Sequence, residues 1–148
     1  MSWLTDIVDR LEDQGVGTFG VDIFASSTSS IPILSSGAAT IQVVATGGTT
    51  PDYTHNQPTR PAFLNPAAQL TTRAGTYAEA EAKARDAYFA LCIRNMRLAV
   101  GNGVGVLSSG TFYRWIKPLQ EPFDTGVDPR GQATVKFNVI GSKVPTVE

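Results

Sequence analysis

The sequence has little of the chemistry from which most metal and catalytic sites are built. It contains one cysteine, Cys92, and one histidine, His55, among 148 residues. One cysteine forms no internal disulfide, and these two residues are too few for a tetrahedral zinc site within one chain. A general base at His55 would need an orienting carboxylate, and only Asp52 is close in sequence. The sequence therefore predicts no metal, no cofactor and no catalytic residue.

Charge and long apolar runs are also scarce. Charged residues make up 17% of the chain and the net charge is −1, without the basic excess that a dedicated duplex-DNA binder has. No run approaches the roughly 18 apolar residues of a transmembrane helix, and the acidic N-terminus does not resemble a secretory signal. These absences predict a soluble protein of a cytoplasm-like compartment. At roughly 100–200 residues per domain, the length predicts a single domain over 1–148.

The charges that are present are distributed unevenly. Residues 1–59 have a net charge of −5 and residues 60–148 a net charge of +4, and the two sum to −1. The charged residues of the first segment are six acids and one base: Asp6, Asp9, Glu12, Asp13, Asp22, Asp52 and Arg10. Two interpretations remain open. These residues form ordinary solvated faces, or two surfaces of opposite sign meet within the fold or between copies.

Periodicity in the first half predicts one helix and three strands. Leu4, Ile7, Val8 and Leu11 follow helical spacing, which predicts an amphipathic helix over 2–14 that stops at Gly15. The letters of 15–20 match G-x-G-x-x-G, but they follow a helix and precede a strand, whereas a dinucleotide site needs the reverse. We therefore interpret them as a helix stop and a strand entry.

The strands of the first half are predicted at 21–24, 39–46 and 67–73, with a loop or hairpin at 26–38. Gly47-Gly48 is expected to end the second strand. Residues 49–66 contain four of the nine prolines and show little periodicity, which predicts a long exposed loop. Such loops are uncommon in compact domains unless they are functional. This segment is therefore the best candidate for contact with a partner.

The second half begins with a capping box, Thr76 followed by Glu79, which predicts a helix over 76–97. Residues 87–93 are apolar nearly all round, so this part, including Cys92, is expected to be buried on more than one side. Strands at 111–119 and 133–139 follow, with turns at 101–105 and 128–131. The resulting prediction is an α+β fold, a mixed sheet of about five strands with two helices in the order α-β-β-β-α-β-β.

Two further groups of side chains have plainer structural explanations. A basic-aromatic strand could stack single-stranded nucleic acid, although such a strand more often turns its polar face to water or to a partner. Its residues are Arg114, Trp115 and Lys117. Three acids near the last turn could form a loose cation site, but they lack an EF-hand pattern. These acids are Glu121, Asp124 and Asp128.

The order of segments in the second half resembles a known family. The segments are YAEAEA at 77–82, AYFAL at 87–91, YRWI at 113–116, QEPF at 120–123, DPRG at 128–131 and VKFNV at 135–139. Together with the N-terminal helix and three strands, they are similar to the tail terminator proteins of long-tailed bacteriophages, also described as minor capsid or tail completion proteins. The resemblance covers about residues 2–141, and the segment 49–66 has no counterpart in the family.

The resemblance implies a structural virion protein of the tail and neck, assembled in the host cytoplasm, and not an enzyme. Copies would form a ring, expected to contain six subunits, at the head-proximal end of the tail tube. The ring would bind the tail tube protein, stop its polymerisation and offer a surface to the head-completion or connector protein. Genomic DNA would pass through without sequence readout, and no membrane would be involved. The alternative is another neck or head-completion protein, such as a stopper or connector adaptor. A small enzyme and a nucleic-acid-binding module are more distant alternatives.

Ring assembly adds an expectation about surfaces. Segment 49–66 and the apolar part of the second helix are expected at subunit or tube contacts. The acids Asp6, Asp9 and Asp13 are expected to orient neighbouring copies against a basic surface.

Overall fold

The structure, a computed structural model, describes residues 3–25, 39–54, 57–94, 113–129 and 131–143. The predictions for 26–38, 101–105 and His55 lie outside these residues. Two helices and seven strands follow one another along the described chain. They are α1 (Trp3–Asp13), β1 (Ile23–Ala25), β2 (Thr40–Thr54), β3 (Gln57–Ala74), α2 (Tyr77–Ala90), β4 (Ile93–Arg94), β5 (Tyr113–Pro118), β6 (Phe123–Val127) and β7 (Ala133–Lys143).

All of these strands belong to one mixed sheet, which confirms the α+β class and both helices. Six strands lie side by side in the order β1-β2-β3-β7-β5-β4, and β6 pairs with β7 beside β5. The β1–β2 pair is parallel and the other pairs are antiparallel. The predicted strand count and the predicted order after α2 are wrong, because β4 and β6 were not predicted. Two-residue β4 is too short to show a period, and every residue of β6 is exposed.

Both helices pack on one face of the sheet and enclose the core. Cross-strand pairs place Leu70 of β3 between Val43 of β2 and Phe137 of β7, so the centre of this face is continuous apolar surface. The helices cover it with fully buried side chains. These are Ile7 and Leu11 of α1 and Ala80, Ala84 and Ala87 of α2. The alanines allow α2 to lie close to the sheet, as their small size predicts.

The first helix forms as its pattern predicts and ends in a Schellman motif. The amide of Val16 donates to the Leu11 carbonyl at 3.0 Å, and that of Gly15 donates to the Glu12 carbonyl at 3.0 Å. Residues 15–20 are thus a helix stop before β1, which confirms the structural interpretation of the glycine-rich letters.

The second helix begins where predicted but ends earlier. Thr76 accepts a hydrogen bond from the Glu79 amide at 3.3 Å, and the helix stops at Ala90, with Leu91 as its C-cap. Ile93 and Arg94 then pair with β5 instead of continuing the helix. The expectation that 87–93, including Cys92, is buried on more than one side is therefore wrong. Phe89 is 67% exposed and Cys92 is exposed.

Segment 49–66, of which the structure describes 49–54 and 57–66, is not a loop. It forms the outer part of the β2–β3 hairpin, whose strands pair from Thr40↔Arg73 to Thr54↔Gln57. The register shifts four times between Thr46 and Thr54, and all four prolines of the segment lie beside these irregularities. Proline lacks an amide donor and is tolerated in strands mainly at edges and bulges. The prolines therefore mark bulges in a ribbon, and Gly47-Gly48 lies inside β2 rather than ending it.

The final hairpin confirms the predicted turn. The Gly131 amide donates to the Asp128 carbonyl at 2.9 Å, and the Asp128 carboxylate accepts from the Gln132 amide at 2.9 Å. Gly131 has a φ of 83°, which glycine adopts without strain. The turn joins β6 to β7, so the strand that precedes it is β6 and not the predicted 111–119 strand.

Candidate assembly surface

One surface feature of the described residues is the outer part of the β2–β3 hairpin, which we call the hairpin arm and define as residues 47–54 and 57–63. In the part of the chain that the structure describes, β7 pairs with β3 as far as Leu64↔Lys143, and β1 pairs with β2 at 41–43. Among the described residues, the arm is therefore two strands wide. At about 3.3 Å per residue, the stretch 57–63 extends roughly 23 Å beyond the last β7 pair.

The base of the arm is closely packed at one bulge. A Cβ on Gly48 would lie 2.0 Å from the carbonyl oxygen of Asn65, so the two backbones approach within a distance that only glycine permits. The side-chain amide of Asn65 donates to the Thr50 carbonyl at 2.9 Å. Farther out, Tyr53 is 55% exposed. The arm is thus a hydrogen-bonded ribbon that presents backbone and an aromatic ring to its surroundings.

The face of the sheet opposite the helices is polar. The register places Gln69, Thr71 and Arg73 of β3 on this face, opposite Asn138, Lys136 and Thr134 of β7. The Gln69 side chain donates to that of Asn138 at 3.3 Å, and Arg73 donates to the Gln42 side chain at 3.0 Å. These bonds form a polar layer across the central strands.

The basic-aromatic strand lies at one side of this polar face. Trp115 and Lys117 face the same way on β5, and the Lys117 ammonium lies 4.5 Å from the Trp115 ring centroid. Of Arg114 the structure describes the backbone only. A cation over an aromatic ring is a weakly favourable contact within the strand, so this arrangement needs no nucleic acid to explain it.

The N-terminal acids do not form a single surface cluster. Asp6 is fully buried and accepts a hydrogen bond from the Tyr113 hydroxyl at 2.5 Å. Burial raises the pKa of Tyr113 far above its usual range, and the bond to Asp6 raises it further. The expectation that Asp6 orients neighbouring copies is therefore wrong, because this carboxylate holds α1 against β5.

The single base of residues 1–59, Arg10, also forms its contact inside the fold. Arg10 is buried, and its Nε donates to the Ala90 carbonyl at 2.9 Å, where α2 ends. Burial lowers the pKa of this guanidinium, and the charge of Asp13 opposes the change. Arg10 thus satisfies one of the carbonyls left open at the C-terminus of α2. Neither contact has a local sequence signal. Arg10 and Ala90 are 80 residues apart in sequence, and Asp6 and Tyr113 are 107 residues apart.

Part of the predicted charge complementarity acts within one chain. Lys83 of α2 lies 2.9 Å from Asp22 and also donates to the Val16 carbonyl, which joins α2 to the segment before β1. Glu81 and Arg85 pair at 3.1 Å, as their i,i+4 spacing predicts. Glu12 and Asp13 at the end of α1 remain exposed. The acid surface of the first segment is therefore smaller than its net charge indicates.

Of the remaining candidate residues, Glu121 is exposed, whereas Asp124, Asp128 and Cys92 are engaged in local structure. The Asp124 carboxylate accepts from the Gly126 amide at 2.7 Å, and Asp128 lies 3.4 Å from Arg73. The Cys92 thiol donates to the Tyr88 carbonyl at 3.3 Å. Among the described residues, no group of three or more histidine, cysteine or acidic side chains could hold a metal ion.

The fold and surfaces define an α+β domain with one mixed sheet, two helices on one face and a projecting hairpin arm. The chain matches no protein-family model and none of the curated proteins with which it was compared. In the part of the chain that the structure describes, neither helix is long and apolar enough to cross a membrane.

Proposed function

We propose that this protein is a structural component of a bacteriophage tail, a tail terminator. It forms a ring on the head-proximal end of the tail tube, ends the growth of the tube and offers a joining surface to the head. The observation on which the proposal depends is the hairpin arm, residues 47–54 and 57–63. The resemblance of the second half of the sequence to tail terminators supplies the class of assembly.

The arm suits an assembly role for a physical reason. The strands of a two-stranded ribbon are edge strands, and an edge strand can add a further strand from another chain. Its length allows contact with a neighbouring subunit or with the tube while the sheet and helices remain in one ring position. The prolines and bulges limit this pairing to the stretches between them, because they interrupt a regular hydrogen-bond ladder.

DNA passage needs no dedicated binding site in this proposal. A channel that transmits DNA without reading its sequence needs a polar lining and no strong attraction to phosphates. The net charge of −1 is compatible with that requirement.

The alternative is a stopper or connector adaptor at the neck, which would use the same arm to contact the head instead of the tube. The two functions predict different defects. A missing terminator leaves tube growth unchecked, whereas a missing head-completion protein leaves filled heads open.

The test is to remove the protein from phage-producing cells and to measure tails by electron microscopy. We expect overlong tails without heads, and restoration of normal length by the unaltered protein. Tails of normal length beside leaking heads would reject the terminator and favour the head-completion alternative.

A second experiment tests the hairpin arm. The residues between Thr46 and Ala67, which pair directly, are replaced by an Asn-Gly turn that suits a two-residue hairpin. We expect this variant to fold, as judged by circular dichroism and a cooperative unfolding transition, and to fail in termination. The matched control is Val127→Ser, which alters an exposed apolar residue on β6, away from the arm. Normal termination by the shortened variant would contradict the role of the arm.

A further inference from the structure

A small apolar cleft lies between α1 and the segment that leads into β1. Leu4, Val8, Phe19 and Ala25 supply its apolar lining, and Glu12 lies at its acidic rim. Asp9 and Thr5 complete the lining of this cleft, whose volume is about 280 Å³. Phe19 is 54% exposed and Glu12 is exposed, so the cleft opens at the surface. We call it the α1 cleft.

We infer that the α1 cleft receives Leu119 of a second copy of this chain, with Lys117 of that copy facing Glu12. Leu119 is 56% exposed in the bend directly after β5, and Lys117 is exposed two residues before it within the strand. A leucine side chain fits a cleft of this volume, and a cation beside it matches the acidic rim. This inference deepens the proposed function by naming the contact between adjacent subunits.

Charge selects Leu119 among the exposed apolar side chains of the described chain. The set is Phe19, Val21, Tyr53, Tyr77, Phe89, Leu119, Phe123 and Val127. Phe19 belongs to the cleft itself. Val21, Tyr53, Phe123 and Val127 each adjoin an aspartate in sequence, and Tyr77 and Phe89 lie within three residues of Glu79 and Asp86 on α2. An acid beside the inserted residue would face Asp9 and Glu12, and like charges brought together oppose binding.

Leu119 also has an acid nearby, Glu121, but this residue follows the bend that ends β5. Lys117 lies within β5, on its helix-free face opposite Ile140 of β7. The strand therefore holds the cation in a defined position relative to the apolar residue.

The two surfaces cannot meet within one chain. β1 is at one end of the sheet, and β2, β3 and β7 lie between it and β5. At about 4.8 Å per strand, this separation is roughly 19 Å. The cleft is formed with α1 on the helix side of the sheet, whereas Lys117 is on the opposite face. A contact between two different surfaces is heterologous, and repetition of it closes into a ring when the rotation permits.

The first test exchanges the charges. Glu12→Lys and Lys117→Glu are each expected to weaken self-association about tenfold, and the chain with both substitutions is expected to recover most of that loss. Self-association is measured by analytical ultracentrifugation over a concentration series. Both residues are exposed, so folding should be unaffected. Failure of the doubly substituted chain to recover would contradict the Glu12–Lys117 contact.

The second test concerns the apolar contact. Leu119→Ser is expected to weaken self-association more than tenfold, because the inserted side chain is lost. Val127→Ser is the matched control, since Val127 is 69% exposed on β6 and has no place in the proposed contact. Equal effects of the two substitutions would contradict the inference.

A cross-linking experiment detects the contact even when association is weak. In a Cys92→Ser background, the chain carrying both Glu12→Cys and Lys117→Cys is oxidised at millimolar concentration. We expect disulfide-linked dimers and closed rings, because neighbouring copies bring the two positions within bonding distance. The control pair, Glu12→Cys with Val127→Cys, should cross-link at background level. Cross-linking of the test pair no greater than that of the control would overturn the inference.

These measurements use the purified chain and separate the inference from the proposed function. Specific cross-linking together with normal tails in cells that lack the protein would reject the terminator and retain the subunit contact. Overlong tails in those cells without specific cross-linking would retain the terminator and reject this contact.

Discussion

The buried Asp6–Tyr113 pair shows how a single residue of α1 determines where that helix docks. The Tyr113 hydroxyl donates to a carboxylate that is fully buried, and the Tyr113 ring also lies 5.7 Å from the Trp3 ring. A buried carboxylate without its donor is costly. The pair therefore ties α1 to β5 more specifically than apolar contact alone.

Replacing Tyr113 by Phe is expected to lower the free energy of unfolding at neutral pH by about 1–3 kcal/mol, because Asp6 loses a buried hydrogen bond. The matched control is Tyr77→Phe, since Tyr77 is exposed and should tolerate the loss of its hydroxyl. Chemical denaturation of both variants measures the difference. Equal stability of the Tyr113 variant and the unaltered protein would contradict the role of this bond.

The same pair predicts a pH dependence. The pKa of Tyr113 is raised in the folded chain, whereas the unfolded chain releases this proton near its usual value of about 10. Folded protein then binds more protons than unfolded protein above that pH, so the free energy of unfolding falls as the pH rises. The free energy of unfolding of the Tyr113→Phe variant should fall less steeply between neutral pH and strongly alkaline pH. An equally steep fall in both proteins would contradict this linkage.

Leu91 is the other residue with a large expected effect. It is fully buried at the C-cap of α2. Leu91→Ala should cost about 2–5 kcal/mol of stability through lost transfer energy and the cavity left behind. Phe89→Ala, two residues away on the exposed side, should cost about 1 kcal/mol or less. Denaturation curves of the two variants measure this contrast, and a similar cost for both would refute the orientation of α2.

At the scale of elements, α2 and the hairpin show why local signals misplace boundaries. Leu91 and Arg94 are good helix formers, yet Ile93 and Arg94 pair with β5. Tertiary pairing outweighs helix propensity, which differs by less than about 1 kcal/mol among ordinary residues. In the hairpin, prolines indicate a loop locally. The hairpin accommodates these prolines at bulges, because a residue at a bulge does not have to donate a backbone hydrogen bond to the neighbouring strand.

The bulge at the base of the hairpin arm provides a test at this scale. Gly48→Ala should destabilise the protein by about 1–3 kcal/mol, because the added Cβ would meet the backbone of Asn65. Gly47→Ala is the matched control, since a Cβ there meets nothing within 4 Å. Thermal unfolding and hydrogen exchange of 49–54 measure the effect. If Gly48→Ala left both unchanged, the close approach of these backbones would be wrong.

At the scale of the whole molecule, the uneven charge of the sequence has two outcomes. Asp22–Lys83 joins the acidic and basic segments inside one chain, whereas exposed Glu12 and Lys117 lie on different surfaces. The first contact stabilises the fold. The second pair is available for contact between copies, where charge mainly determines orientation and rate.

A structural function also predicts which residues are dispensable. His55→Ala and Cys92→Ser should leave phage assembly and infectivity unchanged, because neither residue is assigned a chemical step. Plaque counts and electron microscopy of complemented phage measure this, with the unaltered protein as control. Loss of infectivity from His55→Ala, with folding and assembly intact, would instead favour an enzyme.

The sequence by itself determined the α+β class, α1, the start of α2 and the strand of β7, because each has a local period or a local cap. The alternation of Val135, Phe137 and Val139 is one example, and all three are buried. Only the tertiary structure decided the end of α2, the β2–β3 ribbon, the exposure of Cys92 and the burial of Asp6. Each of these depends on a partner distant in sequence, such as Tyr113 for Asp6, and local periodicity contains no information about contacts across the sheet.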